Sequence, residues 1–577
     1  MRLKFAIVFY LIVPLFGYSQ KSPILGIKDT LKFNYTTGGT IDSVDINFSQ
    51  HSSTLPGGGF STSENSFAYD FFVQNSGGSV FRNFTNWKKM RFSALPHLGF
   101  GYIFGGQQTQ IVKANYTHAL SENQLLNIDY DMQRGSNFMR NGLFGHHDVQ
   151  LQYQLKTNFY TLDLKGQYLS RLINQNDGLL TDSTLYTSGL DMSPVRKDIA
   201  LSKQQGGRVN LNHYFDFLPK DSINATGLYI ENRLNIFNRK YKESSDTLDL
   251  IYPVINISTD STSDQYQLSQ IANGAGLYYD RPGFYLKAGL DYNYWNYFNL
   301  GQNQDRSEVN LDGKLGIQIK RIEIENHTNI NMIGAAGEWF TNTNIRFGWK
   351  NFKLNGKADI SYLLPEPFQR SYYANNVSYN TQFDQLNKQF KLNLHAQLSY
   401  VIKQHSISVF AGNATATNTY WFINNSWRND TLTTLNALTI GIAGQTGYKA
   451  LRFSLKASYN KSNWMPEMLI QSRLYVQGRL FKGKKLLAQI GVEGAYLSSY
   501  QLLEHLPYMD VFNLTNQIGS SRTNLHVFGA FEVSRFRFFF RVENLGKFWT
   551  EPIQRIAFNQ TIPNMQIRIG ITWDFFN

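Results

Sequence analysis

Phe352 to Leu364 reads FKLNGKADISYLL. Phe352, Leu354, Gly356, Ala358, Ile360, Tyr362 and Leu364 take every second position, and Lys353, Asn355, Lys357, Asp359 and Ser361 stand between them. Successive side chains of a strand leave on opposite faces, so this stretch builds one apolar and one polar face. It is long enough to cross a hydrocarbon core, for which a tilted strand needs about 9–11 residues. The same scheme recurs in Val149 to Leu155 (VQLQYQL), Val309 to Ile319, Phe390 to Tyr400, Leu474 to Leu480 and Phe536 to Val542.

A soluble sandwich also alternates, and its solvent face accepts mid-strand Lys and Arg as readily as a water-filled lumen does. The connections separate the two. With the first strand drawn at Pro96 and running outward from the periplasm, every second connection is very short: Thr157-Asn158, Lys320-Arg321, Lys350-Asn351, Lys403, Tyr448-Lys449 and Ser534. Most of the intervening ones are longer and polar, as at 173–205, 243–264, 365–387, 417–431, 500–521 and 546–563, although 106–108 and 334–337 are short. Tight periplasmic turns alternating with longer external loops are the outer-membrane pattern. The expectation is an all-β fold over 96–577, a transmembrane antiparallel up-and-down β-barrel of about 22 strands. Merged hairpins would reduce the count to 18 or 20, and an even number returns both ends to the periplasm. Aromatic residues at strand ends fit an interfacial girdle: Tyr292, Tyr294, Tyr297, Trp349, Trp573 and Phe575.

The 577 residues contain no Cys, which excludes disulfide frameworks, thiolate metal sites and cysteine nucleophiles. Aromatics make up 15% and charged residues 17%, a mix that suits pleated surfaces better than helices. Residues 1–20 read as an export signal, with Arg2 and Lys4 ahead of an apolar run from Phe5 to Phe16 and a small-polar exit at Gly17 to Gln20. Residues 21–95 alternate poorly and carry Gly57-Gly58-Gly59 and Gly77-Gly78; a periplasmic lead-in and a segment inside the lumen are both open readings.

The chain closes on Met565-Gln-Ile-Arg-Ile-Gly-Ile-Thr-Trp-Asp-Phe575, followed by Phe576-Asn577. Arg568, Gly570, Trp573 and Phe575 in this strand resemble the β-signal that the barrel-assembly machinery reads during insertion. With Ser66 to Gly78 (SFAYDFFVQNSGG), Leu98-Gly-Phe-Gly-Tyr102 and the hairpins that follow, the chain resembles the putative porins of Bacteroidetes over nearly its whole mature length. The resemblance implies an outer-membrane barrel that conducts small solutes, and no catalytic residues.

No catalytic or nucleotide-binding motif stands out, so an enzyme is not expected. His146 and His147 are adjacent and must point to opposite faces of a strand. Asp260 and Asp264 lack a glycine-bearing calcium loop, and Glu323, Glu325 and His327 form one row that reads as wall. No cofactor or metal is therefore expected. The strand phases turn Lys165, Arg171, Lys287, Lys314, Arg346, Lys353, Lys357, Lys391, Arg452, Lys456, Arg473, Arg479, Arg535, Arg537 and Arg541 into the lumen. Fewer acids face the same way: Asp163, Asp291, Asp312, Glu323, Glu325, Asp359, Glu493, Glu532 and Glu543. A positive lining would favour anions. The net charge of +13 is dispersed along the chain, which argues against nucleic acid as its partner.

The expected function is passive diffusion of small polar or anionic solutes, with outer-membrane lipid and the assembly machinery as partners. One rival is a closed barrel serving as a subunit of an envelope complex with protein partners. Another is an energised receptor, disfavoured because only residues 21–95 precede the first strand and must supply any plug.

Overall fold

The computed structural model describes the chain from Phe84 to Phe576, apart from short stretches of which the longest are 182–191, 219–224, 381–386 and 549–554. The export signal expected over 1–20 and most of the segment 21–95 lie outside the described residues. Twenty-two strands, from His97–Gly105 to Gln566–Phe576, form one antiparallel sheet. Each pairs with its neighbours in sequence, and the last returns to the first, His97 facing Phe576 and Gly105 facing Arg568. Closure removes every free edge, the condition for placing a sheet in hydrocarbon with its backbone polar groups paired.

The polarity is inverted relative to a soluble sandwich. Ile407, Val409, Ile440 and Ile442 face outward and are 49–59% exposed, whereas the charged Arg541, Arg568 and Glu543 face inward and are at most 2% exposed. No helix among the described residues is long and apolar enough to cross a membrane; the strands cross instead. Trp349, Trp573 and Phe575 face outward near the rim that holds both barrel ends, with Trp573 stacked on Phe575 and edge-on to Phe536. Tyr292 also faces outward, but Tyr297 does not belong to a girdle. It lies on the inward row of Phe284–Asn299 and is 2% exposed, packed under the external loops.

Wall height varies. Ala225–Ser244 has 20 residues and Ser261–Arg281 has 21, while Phe536–Glu543 has 8. At about 3.3 Å per residue and a tilt near 40°, the tallest strands rise roughly 50 Å along the barrel axis, about twice the apolar band. The tall hairpin between Phe284–Asn299 and Gln302–Ile319 turns on Leu300 and Gly301 alone, with Gly301 at φ +90. The alternation read from Val309 begins several residues after this turn. The strand starts earlier because Gln302 to Arg306 pair with Asn299 to Trp295.

Candidate functional site in the lumen

Fourteen of the fifteen basic residues expected inside stand on inward rows: Lys165, Arg171, Lys287, Lys314, Arg346, Lys353, Lys357, Lys391, Arg452, Lys456, Arg473, Arg479, Arg537 and Arg541. Arg535 does not. Pairing ends at Val533 and Phe536, so Arg535 falls in the two-residue turn with Ser534 and is exposed at the rim. Inward acids pair with many of these cations. Lys165 lies 3.2 Å from Asp163, Arg346 2.7 Å from Glu323, Arg473 3.2 Å from Glu493 and Arg537 2.6 Å from Glu532. Lys287 pairs with Glu231 and sits 4.0 Å from the centre of the Tyr229 ring.

One sector of the lumen is filled. Arg541 reaches Glu493 at 2.7 Å and Glu543 at 3.5 Å, and Arg568 reaches Glu543 at 3.2 Å. Gln566 donates to the same Glu543 carboxylate at 2.6 Å. The Phe539 ring lies over Gly570, where an added Cβ would stand 2.1 Å from the ring; the close approach requires glycine at this closing-strand position. Beside this sector the N-terminal segment lies along the inner wall. Arg91 contacts Asp129 at 2.8 Å and Thr117 at 3.3 Å, Lys88 N–H donates to Gln150, and Trp87 covers the Arg208 guanidinium at 3.9 Å.

External loops cover part of the tall wall. Tyr372, Ala374, Val377, Phe422 and Met509, all loop residues, pack on the inward Phe237, Tyr266, Leu268 and Tyr297. Hydrogen bonds fix them in place: Arg239 donates to the Tyr508 carbonyl at 2.9 Å, Gln204 to Asp510 at 2.6 Å, Tyr297 to the Ser371 carbonyl at 3.1 Å, and Asn375 N–H to Asp264 at 2.9 Å. Asp264, weighed as a calcium candidate, thus anchors a loop. His146 and His147 point to opposite sides as expected, His146 towards Arg171 and His147 towards Tyr130. Glu323 and Glu325 share Arg346, while His327 lies 2.7 Å from Asp312.

A cavity of about 1520 Å³ lies in the lumen beside these filled parts. Of the fifteen basic residues expected to line the lumen, Lys357, Lys391 and Lys456 border it, together with the expected acids Asp291, Asp312 and Asp359; Arg233, Arg306, Arg370 and Arg522 also border it. Arg233 and Arg306 could have been found by continuing the alternation of their strands, but Arg370 lies in the external loop 364–388, where no strand phase applies. Seven basic and seven acidic residues border the cavity. Asp305 is exposed and faces away from it, so the charges across the cavity nearly cancel. At this cavity, cations expected from strand phase stand beside carboxylates, as Lys357 does with Asp359 at 2.7 Å. Between them the wall presents amides, among them Asn293, Asn310, Asn329, Asn331, Asn342, Asn393 and Asn460, and the rings of Trp295, Phe340 and Phe410. Small inward residues on the adjoining strands leave room beside the longer ones: Gly412, Ala414, Ala437 and Ala443 border the space.

The "Putative porin" family model matches residues 79–577. No curated protein matches the chain. Among solved structures, the FrpB iron transporter from Neisseria meningitidis (F5-1 variant) aligns at TM-score 0.58 and 9% identity, covering 88% of this chain and 84% of that one. The ferric enterobactin receptor PfeA from Pseudomonas aeruginosa aligns at TM-score 0.56 and 10% identity, covering 84% and 82%. The ferric-catecholate import receptor Fiu from Escherichia coli K12 aligns at 0.55 and 9%, covering 85% and 83%. At these identities the likeness is one of fold. The closed barrel, its apolar exterior and the family match converge, and the chain belongs to the "Putative porin" family of outer-membrane β-barrels.

Proposed function

We propose that the protein is an outer-membrane transporter that passes small polar solutes by diffusion through the open sector of its lumen. The cavity of about 1520 Å³, walled by amides and paired charges, is the observation that carries this reading. Because the bordering charges nearly cancel, weak charge selectivity is expected in place of an anion preference. Discrete conductance steps in a planar bilayer, with a reversal potential close to zero in a salt gradient, are the expected result; a folded barrel that never conducts would sink the proposal. No catalytic step and no cofactor enters this mechanism.

A second reading has its own support. The loop cluster on Phe237, Tyr266 and Tyr297 and the N-terminal segment at Arg91 and Trp87 both occupy lumen, as a closed barrel acting as a subunit of an envelope complex would require. Conductance that appears only after the loops are released, for example in Arg239→Ala, would favour a closed resting state. Arg568, Gly570, Trp573 and Phe575 are proposed as the signal read by the assembly machinery. Outer-membrane yield should fall in Phe575→Ala, while the purified, refolded barrel keeps its stability to within about 1 kcal/mol, as is usual for surface substitutions.

A further inference from the structure

Four tight turns at the rim that holds both barrel ends open on a lysine in the left-handed region: Lys320 (φ 50), Lys350 (φ 52), Lys403 (φ 51) and Lys449 (φ 52). Two-residue hairpin turns need positive φ at this position, which favours Gly, Asn and Asp and costs other residues about 1 kcal/mol or more. At the opposite rim Asn141, Asp177, Asn418, Asp510 and Asn544 follow the stereochemical preference at positive φ, and Gln108 and Leu300 depart from it. Folding alone therefore does not account for the lysines. All four are exposed, and none forms an ion pair among the described residues.

Their surroundings point to lipid. Lys350 lies 5.7 Å from the centre of the Trp349 ring and Lys449 5.4 Å from that of Tyr448, both rings being on the outward face. Trp349 is 45% and Tyr448 71% exposed, as expected of side chains at the membrane–water boundary. The ammonium groups of Lys350 and Lys449 are thus held at the lipid-facing edge of the rim, and Lys320 and Lys403 occupy the equivalent turn positions on the same arc. We propose that this arc of turns binds the phosphates of anionic phospholipid headgroups in the leaflet around that rim. A lysine near an anionic surface strengthens binding by about fivefold, so four acting together are enough to enrich such lipids at the barrel.

The test uses the full chain in nanodiscs of mixed phosphatidylcholine and phosphatidylglycerol, followed by detergent extraction and native mass spectrometry of the retained lipids. Wild type should retain phosphatidylglycerol over phosphatidylcholine by about tenfold or more, and lose that preference as salt is raised. The combined variant Lys320→Asn, Lys350→Asn, Lys403→Asn and Lys449→Asn should lose most of the preference. Its barrel should be at least as resistant to unfolding as wild type, because Asn suits the turn conformation better. A fourfold Lys→Arg variant should keep the preference. Unchanged lipid retention in the Asn variant overturns the proposal, as does loss of barrel stability in it. Retention unchanged together with charge-dependent binding of an acidic envelope protein would assign the arc to that protein and likewise overturn it.

Discussion

Two sectors of the lumen are written in the same alternating code and end in opposite states. Between Leu486–Leu497 and Gln566–Phe576 the inward rows carry Phe528, Arg537, Phe539, Arg541, Glu543 and Arg568, and all six are at most 5% exposed. Between Gln389–Ile402 and Leu451–Lys461 the inward rows carry Gly412, Ala414, Ala437 and Ala443 beside a few longer side chains such as Phe410 and Lys456, and the cavity lies against them. The difference teaches that side-chain volume on the inward row, more than its charge, decides whether lumen is wall or passage. A barrel of this strand number is too wide for its wall side chains alone to fill. Long paired residues, loops and the N-terminal segment close the space where they stand, and small residues leave it open.

The largest expected effect is in the filled sector. Glu543 answers both Arg541 and Arg568, so Glu543→Ala leaves two buried guanidinium groups short of a counter-charge and should cost about 3–5 kcal/mol. Denaturant unfolding in detergent would measure it. Removing a partner beside the cavity, as in Asp359→Ala, should cost below about 1 kcal/mol, because Lys357 is 46% exposed and keeps its water. Equal costs would erase the contrast between the sectors.

Arg239→Ala should come next. The side chain is 1% exposed, pairs with Asp510 and donates to the Pro507 and Tyr508 carbonyls, and hydrogen bonds to charged groups are worth about 1.5–3 kcal/mol each. Protease cleavage within 500–519 should accelerate at least tenfold while the barrel stays folded. In the open sector, Ala414→Trp should reduce single-channel conductance by about half or more with little change in stability, since the added ring projects into free space. The same substitution would leave conductance unchanged if the path ran elsewhere.

The smallest expected effect is a pH response of the external loops. Asp177 is pushed up to about 6 because burial disfavours its charge, against the pull of Arg196, Lys197 and His505. Asp510 is held below the usual range: burial alone would raise it, but the His505 hydrogen bond and the Arg239 charge prevail. Since the folded loop binds the Asp177 proton more tightly than the unfolded chain does, loop stability should rise as pH falls from 7 through 6 towards 4. Asp510 stays charged across that window. Protease protection of 175–181 and 193–199 should therefore increase on mild acidification, and Asp177→Asn should flatten the profile.

Strand positions were legible because alternation and tight turns are local. Val149 to Leu155 and Phe352 to Leu364 carry their phase in their own side chains, and Lys320-Arg321 and Lys350-Asn351 mark hairpins within a few residues. The tall hairpin at Leu300-Gly301 was missed because Gln302 to Arg306 are polar, and above the membrane a strand needs no apolar face. Cavity residues such as Arg370, and the seating of Tyr508 on Arg239, had no local signal; the latter joins positions 269 residues apart.

The amino-acid sequence by itself determined a closed, membrane-crossing cylinder: period-two alternation dictates which side meets lipid, and that rule involves only neighbouring residues. The tertiary structure alone decided how much of the cylinder stays hollow and what charge faces the space. Both depend on side chains from distant strands and loops meeting across the lumen, where inward cations and carboxylates that the strand phases could only count find their particular partners.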